Sequence, residues 1–176
     1  MLTQAFPPEL VDEVIDEPSQ PCGTVTGLPD GRTTYRISTD VTRSTAVARV
    51  STRVEADWTF TSRRPAAGAE TVLPLSTVRF APPLSPASTA EAGRSLRVPL
   101  TVEGAAAGGH LGSLTVRASY DDGRTWRRAP VRGGERKSVL LHHPRDARTV
   151  SLRTVVSDKR GNVGRQTIHS AHRLTK

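Results

Sequence analysis

Apolar and polar side chains alternate along most of the chain after residue 33. Between residues 54 and 60, Val54, Ala56, Trp58 and Phe60 alternate with polar side chains. The same period of two recurs at 33–39, 76–80, 96–102, 114–120 and 150–156. Because successive side chains of a strand point to opposite faces, this alternation predicts half-buried β-strands. Helical periodicity is not evident in any segment, so the sequence predicts an all-β protein.

Turn residues separate the predicted strands. Pro29-Asp30-Gly31 precedes the first strand, and Gly, Asp, Asn or Pro lie between the strands from residue 96 to residue 174. Short strands joined by turns are typical of an antiparallel β-sandwich of the immunoglobulin or fibronectin-III kind. Pro99 falls inside the 96–102 segment. Since proline cannot donate a hydrogen bond to a ladder, that segment is predicted to be an edge strand or to contain a bulge.

Composition divides the chain into four regions. Residues 1–21 contain several acids and prolines but no Lys or Arg, which indicates an acidic, disordered lead-in. Residues 22–64 are predicted to form a small β unit, either complete or a fragment. Residues 65–72 are rich in Ala and Gly and are predicted to be a linker. Residues 73–176 are predicted to form the immunoglobulin-like sandwich, so the chain would hold two β units.

The basic charge has two explanations. The formal net charge is +8, yet residues 1–20 carry five acids, so the remainder holds 25 basic and 12 acidic side chains. Arg outnumbers Lys, as expected from the coding bias of a high-G+C genome; the alternative is an anion-binding surface for nucleic acid or acidic polymer. No run of Arg or Lys exceeds two residues, and no aromatic residue is interleaved with them as a stacking platform. Specific nucleic-acid binding is therefore not expected.

Compartment signals are few. Cys22 is the single cysteine, so no disulfide can form within the chain. The sequence lacks a run of 18 apolar residues, so a membrane span is not expected. The first eight residues have neither the basic start nor the apolar segment of a signal peptide. The chain by itself is therefore not expected to direct its own secretion.

The sharpest local motif runs from Ser119 to Trp126 and fits the pattern S-x-D-x-G-x-T-W of an Asp-box. The Asp121 carboxylate is expected to accept backbone N–H groups, and Gly123 to supply a positive φ. Trp126 is expected to cover the apolar face of the hairpin. A sialidase fragment would need several such boxes and an arginine cluster on a longer chain. The motif therefore predicts a structural turn.

A second polar segment resembles a calcium loop only in part. Asp158 and Asn162 flank Lys159-Arg160-Gly161, and two oxygen side chains fall well short of the six to eight that calcium needs. This segment is predicted to be a turn.

The histidines form two pairs. His142 and His143 are adjacent and are predicted to be exposed in a loop, while His169 and His172 should point to opposite faces of a strand. Neither pair supplies the three or four converging ligands of a zinc site. The sequence therefore predicts no metal, cofactor or catalytic residue.

Catalytic motifs are missing from the sequence. There is no G-x-S-x-G segment and no Walker-type phosphate loop. The D-[ST]-G, H-G-T and G-T-S-M-A segments of subtilisin-like catalysis are also missing. The chain is therefore predicted not to be an enzyme.

The order of several short segments carries a family resemblance. Residues 114–126 are followed by Val-Ser-Leu-Arg at 150–153, Ser-Asp at 157–158, Gly-Asn at 161–162, Gln-Thr-Ile at 166–168 and Ala-His-Arg-Leu at 171–174. This order resembles the extreme C-terminus of large actinobacterial subtilisin-like (subtilase) serine peptidases, with His172 where an aromatic is usual. Residues 50–62 and 73–80 also resemble that family, so the resemblance covers roughly residues 30–176. The first 20 residues match nothing in it.

The resemblance implies a biological role for the chain but no catalytic reaction. The family's catalytic triad lies in an upstream domain that this chain does not contain, so no catalytic residue carries over. It implies a C-terminal accessory module of a secreted peptidase, extracellular within its parent, with that catalytic domain as a partner. Such a module would stabilise the peptidase or engage a polymeric substrate. The alternatives are a stand-alone module that binds carbohydrate or cell-wall polymer, and arginine-mediated binding of a polyanion.

Overall fold

The computed structural model describes residues 2–4 and 29–176, and the described residues are built from strands without an α-helix. One short 3-10 turn spans Gly108–His110. The strands are β1 (Leu2–Gln4), β2 (Thr33–Thr42), β3 (Arg53–Ser62), β4 (Ser76–Phe80), β5 (Thr89–Glu91), β6 (Ser95–Gly104), β7 (Leu111–Ser119), β8 (Arg127–Ala129), β9 (Val131–Arg132), β10 (Lys137–His142), β11 (Thr149–Asp158) and β12 (Val163–Thr175).

The strands form two sheets that pack face to face. Sheet A has the order β1-β2-β3-β12-β11-β7-β8, and sheet B has the order β4-β6-β10-β9. Neighbouring strands are antiparallel, except that β5 pairs in parallel with the end of β12. The predicted all-β antiparallel sandwich is therefore confirmed.

The core lies between the two sheets and consists mainly of aliphatic side chains. β6 and β10 of sheet B contribute fully buried valines and leucines, and β7 and β11 of sheet A contribute others. Their largest members are Val98, Val139, Leu141, Val116, Val150, Leu152 and Val156. Burying one such side chain stabilises a fold by roughly 1.5–3 kcal/mol, so these residues are the main source of stability. Polar side chains alternate with them on the outer faces.

The strand pattern of the sequence agrees closely with the structure. The six predicted segments correspond to β2, β3, β4, β6, β7 and β11. Strands β5, β8 and β9 are too short to show a period of two. β10 was missed because Val139, Leu140 and Leu141 follow one another, although Leu140 lies on the opposite face from its two neighbours.

Pro99 lies neither on an edge strand nor at a shift of strand register, so the prediction of an edge strand or a bulge is wrong. β6 is an interior strand that pairs with both β4 and β10. The last pair between β4 and β6 is Phe80 with Leu100, and beyond it the Ala81 N–H donates to the Pro99 carbonyl at 2.9 Å. The N and O atoms of a strand residue point to the same neighbour. Pro99 lacks the N–H that would point toward β4. The ladder between β4 and β6 ends at Phe80, so the missing donor leaves none of its pairs incomplete.

Strands from both predicted β units belong to sheet A. β3 pairs with β12 from Thr59 opposite Val163 to Arg53 opposite His169. The indole N–H of Trp58 on β3 also donates to the Ser76 carbonyl on β4 at 2.8 Å.

Residues 63–75, which include the predicted linker, form no strand. The predicted lead-in at 1–21, apart from β1, and the lone Cys22 lie outside the described residues. The four-region division remains a prediction. No helix in the described part of the chain is long and apolar enough to cross a membrane.

Candidate functional site

The Asp-box forms a tight hairpin between β7 and β8. The Asp121 carboxylate accepts hydrogen bonds from the backbone N–H of Thr125 at 2.8 Å and from the Ser119 hydroxyl at 2.7 Å. The Thr125 hydroxyl donates to the other carboxylate oxygen at 2.5 Å and is the largest cause that lowers the pKa of Asp121 to about 2. Gly123 has a φ of +88°. The motif builds the turn in the way the sequence predicted.

Trp126 lies on the outer face of sheet A, which corrects the prediction that it covers the apolar face. Its indole N–H donates to the Gly123 carbonyl at 2.9 Å, which holds the ring over the turn. The guanidinium carbon of Arg153 lies 4.1 Å from the ring centre. The ring is half-buried and does not belong to the core between the sheets. Trp126 directly precedes β8. Because successive side chains of a strand point to opposite faces, Trp126 lies on the same face as Arg128, and Arg127 lies on the other.

Three arginines occupy directly opposite positions on three neighbouring strands of that face. Arg128 on β8 pairs with Arg117 on β7, and Arg117 pairs with Arg153 on β11. Directly opposite residues of antiparallel strands point to the same side and have Cβ atoms about 5 Å apart. Three cations therefore lie in one row across the strands. The set of Arg117, Arg128 and Arg153 is called the arginine row.

The arginine row has no acidic partner among the described residues. Arg153 donates from Nε to the Thr167 hydroxyl at 3.1 Å and packs on Trp126. Arg117 and Arg128 are exposed, and neither forms an ion pair with a described carboxylate. Like charges directly opposite one another destabilise a sheet. Repulsion among the three guanidinium groups therefore lowers the stability of the fold, and a bound anion would offset that loss.

The carboxylates of the same face lie on β2 and β3 and are already paired. Bonding to the Arg53 guanidinium is the largest cause that lowers the pKa of Asp40. The contacts are Asp40 with Arg53, Glu55 with Arg53 and His169, and Asp57 with Arg36 and Arg165. These contacts neutralise the β2–β3 half of the face. The uncompensated positive charge is therefore concentrated on β7, β8 and β11.

A shallow groove of about 850 Å³ runs across this face. Its lining includes Arg117, Arg153 and Arg165 on one side and the paired acids of β2 and β3 on the other. Thr115 and Val155, opposite each other on β7 and β11, lie among the lining residues. The groove is open rather than enclosed, which suits an extended ligand better than a small substrate.

One serine and one histidine approach each other as a nucleophile and base would. The Ser95 hydroxyl lies 2.7 Å from Nδ1 of His142, where the two residues face each other across β6 and β10. The pair is exposed. No described carboxylate forms a hydrogen bond with the other ring nitrogen of His142, so the third member of a triad is missing from the described part of the chain.

The segment Asp158–Asn162 is a structural turn, as the sequence predicted. Asp158 accepts hydrogen bonds from the backbone N–H groups of Arg160 and Asn162 at 2.8 and 2.9 Å, and from the Asn162 side-chain amide at 2.7 Å. The side-chain amide oxygen of Asn162 in turn accepts the backbone N–H of Thr61 at 3.0 Å. Both side chains are buried and engaged within the protein. The turn therefore ties β11 and β12 to the end of β3.

The exposure of one histidine, His143, differs from the prediction. His142 is exposed, but His143 is buried because it leaves β10 toward the core. As predicted, His169 and His172 point to opposite faces: His169 bonds to Glu55 at 2.8 Å, and His172 is fully buried. Burial is the main cause that lowers the pKa of His143 and of His172 to about 4.

Two histidines from different predicted pairs, His143 and His172, lie next to each other in the folded chain. The rings of His143 and His172 are 5.3 Å apart between centres, and Tyr120 packs on His143. Within the described residues, no group of three or more His, Cys, Asp or Glu side chains is placed to hold a metal ion.

Sequence reasoning missed the arginine row because cross-strand register decides it. The signal available in the sequence was Arg at 117, 128 and 153, each at a polar position of a strand or hairpin. The sequence also gave no sign that Trp126 would pack on Arg153, because the two residues lie far apart along the chain. A scan of protein-family models and searches of curated proteins and of solved structures found no match to the chain.

Proposed function

We propose that the chain is a non-catalytic accessory module that binds an anionic polymer on the outer face of sheet A. The observation that carries the proposal is the arginine row, three directly opposite cations with no described acidic partner. Arginine presents a planar fork of N–H donors that matches phosphate and carboxylate groups. Three such forks side by side on an exposed face suit a chain of repeated anionic groups.

The position of Trp126 favours an anionic polymer over a neutral sugar. A carbohydrate platform needs an aromatic face that is free to stack on a sugar ring. Arg153 covers a face of the Trp126 ring at 4.1 Å. A cation held over an indole gains roughly 0.5–2 kcal/mol and loses mobility. Trp126 therefore serves to hold the Arg153 guanidinium in position for an anion.

The proposed setting is a larger secreted peptidase. The resemblance of residues 30–176 to the C-terminal region of actinobacterial subtilisin-like serine peptidases supports this setting. A β-sandwich with a polymer-binding face would keep such an enzyme at an anionic surface or substrate, outside the cell. The coding sequence immediately upstream of this chain tests the setting. An in-frame peptidase domain there supports it, and an unrelated upstream gene argues for a stand-alone module.

Binding of long-chain inorganic polyphosphate and of polygalacturonate tests the polymer site. The wild-type chain should bind at least one of them at moderate ionic strength, measured by fluorescence anisotropy of end-labelled polymer. Affinity should fall as salt rises, because binding releases condensed counterions. The double variant Arg117→Ser/Arg128→Ser should lose about tenfold or more in affinity, since each lost contact to an anionic group is worth roughly 1 kcal/mol.

The matched control is Arg97→Ser/Arg132→Ser. These two exposed arginines lie on β6 and β9 of sheet B. The control changes net charge by the same amount, so it should bind nearly as tightly as wild type. Equal losses in both double variants would show that net charge, rather than the arginine row, controls binding. That result would overturn the proposed site.

Double-stranded DNA serves as a second comparison. Composition bias alone predicts weak, non-specific binding, with a Kd of roughly 10⁻⁴–10⁻⁶ M at physiological salt. A DNA complex that is tighter than the polyphosphate complex and survives raised salt would replace the polymer proposal with nucleic-acid binding.

A further inference from the structure

The arginine row is part of a longer line of directly opposite residues that crosses sheet A from β8 to β2. Beyond Arg153 the line continues with Thr167 on β12, Glu55 on β3 and Asp40 on β2. Directly opposite residues of antiparallel strands point to the same side, so all of these side chains lie on the outer face. The line therefore begins with three cations, passes one uncharged residue and ends with two carboxylates.

The cationic part of this line ends at Arg153. The next residue, Thr167, is buried, and its hydroxyl oxygen already accepts the Arg153 Nε–H at 3.1 Å. Both carboxylates beyond it contact Arg53. At the opposite end, β8 is the last strand of sheet A in the described part of the chain. An anionic chain laid along this line therefore meets cations without a described acidic partner at three successive positions and at no further one.

Cations do not repeat along the strands themselves. The residues two positions away from Arg117 and Arg153 on their own strands are all uncharged. They are Thr115, Ser119, Ser151 and Val155. Repeated anionic groups therefore match the arginine row only if their chain runs across the strands, which are spaced about 4.8 Å apart. The three positions span roughly 10 Å between the first and last Cβ atoms.

A fourth arginine of the same face does not extend the row. Arg165 on β12 stands opposite Val155 and Asp57, not opposite Arg153. Its guanidinium lies 3.7 Å from the Asp57 carboxylate, which also contacts Arg36. Arg165 therefore belongs to the neighbouring line of residues and already has an acidic partner.

We propose, on the basis of the proposed polymer-binding function, that the arginine row recognises a run of three consecutive anionic groups lying across the strands. The ligand class is a linear oligoanion of that length, or a stretch of that length within a longer chain. Each guanidinium takes one phosphate or carboxylate group. Groups beyond the third extend past Thr167 or past β8 and gain no further guanidinium. The site therefore has a defined length, which general attraction to a basic protein would not produce.

The experiment compares ligands that differ in the number of their anionic groups. Calorimetric titration uses linear pyrophosphate, tripolyphosphate and hexaphosphate, and in parallel di-, tri- and hexagalacturonate. In the series whose polymer the protein binds, the trimer should bind about fivefold more tightly than the dimer, because each contact is worth roughly 1 kcal/mol. The hexamer should gain only a few-fold over the trimer, because it adds alternative registers but no further contact.

Two adjacent arginines of β8 provide a matched pair of variants. Arg128→Ser removes the first member of the row and should lower the affinity for the trimer about fivefold, close to that of the dimer. Arg127→Ser removes the same charge from the opposite face of the strand and should leave that affinity nearly unchanged. Both side chains are exposed, and circular dichroism checks that both variants are folded.

The length series on the wild-type chain separates this inference from the proposed function. Affinity that kept rising about fivefold with each added group would overturn the three-group limit, and so would equal binding of dimer and trimer or binding of long polymers alone. The polymer-binding face itself would stand in those cases if Arg117→Ser/Arg128→Ser still weakened binding of the long polymer. Equal losses in Arg127→Ser and Arg128→Ser would overturn the row as the recognition site. Failure of the wild-type chain to bind any of these chains would overturn the proposed function and this inference together.

Discussion

The guanidinium of Arg153 on β11 packs over the indole of Trp126, which stands at the end of the Asp-box hairpin 27 positions earlier in the chain. One side chain comes from a turn that the local sequence specifies, and the other comes from the middle of sheet A. The contact therefore couples a structural motif to the proposed anion-binding face.

Truncation of Trp126 should affect binding more than stability. Trp126→Ala removes one half-buried ring, a cation–π contact and the bond to the Gly123 carbonyl. We expect a loss of about 1–2 kcal/mol in urea unfolding, below the roughly 3–5 kcal/mol typical of a fully buried aromatic. Polymer affinity should fall because Arg153 loses its support. A loss of stability above that range with unchanged affinity would make Trp126 a purely structural residue.

Asp121→Asn should lower the melting temperature through the Asp-box. The carboxylate accepts from Ser119 and twice from Thr125, and an amide presents only one oxygen for these donors. Asp122→Asn is the control, because Asp122 makes a single bond to Thr149 at 3.2 Å and its positive φ suits Asn. Equal melting temperatures for the two variants would contradict the role of Asp121.

The Asp-box should also respond to pH. The folded pKa of Asp121, about 2, is below the ordinary Asp value near 4. The stability it contributes is therefore fully present above about pH 4 and is lost as pH falls toward 2. The Asp121→Asn variant should lack this component of the acid transition in circular dichroism.

The buried histidines should destabilise the protein in mild acid. The pKa values of His143 and His172 are about 4 in the folded chain and near 6.5 in the unfolded chain. Because the unfolded chain binds more protons in between, stability is full above pH 6.5 and falls as pH drops toward 4. The loss is on the order of 3 kcal/mol for each residue that titrates in this way.

Urea midpoints measured between pH 7 and pH 4.5 test the histidine prediction. His172→Phe should flatten the pH dependence, whereas His110→Gln should keep it because His110 is exposed and is not among the groups that shift the pKa of His143 or His172. If wild type and His172→Phe showed the same slope, His172 would not be the titrating group.

The close approach of β12 to β4 depends on Gly164. A Cβ atom at this position would lie 2.5 Å from the Ser76 carbonyl oxygen and 3.1 Å from a carbon of the Trp58 ring. Backbone cannot move as easily as a side-chain end, so Gly164→Ala should cost more than about 2 kcal/mol. Gly134→Ala has no atom within 4 Å of its added Cβ and should change stability by about 0.5 kcal/mol or less. Urea unfolding of both variants measures the difference.

The chain should not react as a serine hydrolase. Ser95 and His142 are in contact, but the described residues supply no carboxylate to orient the imidazole. A fluorophosphonate probe should leave the protein unlabelled, and casein should remain intact. Labelling that disappears in Ser95→Ala would make the pair a reactive centre and would overturn the non-catalytic proposal.

Local sequence determined the strands and the turns. The period-two alternation located β2, β3, β4, β6, β7 and β11, because side-chain direction within a strand depends only on neighbouring residues. The turns at 119–126 and 158–162 followed the motifs for the same reason, since their hydrogen bonds join residues two to four positions apart. The all-β class was therefore predictable from the amino-acid sequence alone.

Tertiary structure decided how the strands are placed beside one another, and the candidate sites depend on that placement. Register aligned Arg128, Arg117 and Arg153, and packing of the sheets brought His143 to His172. A strand can shift along its neighbour without any change in its own alternation, and only burial of the whole core selects one register. The sequence therefore shows which faces are polar, while contacts between distant segments determine which polar side chains meet.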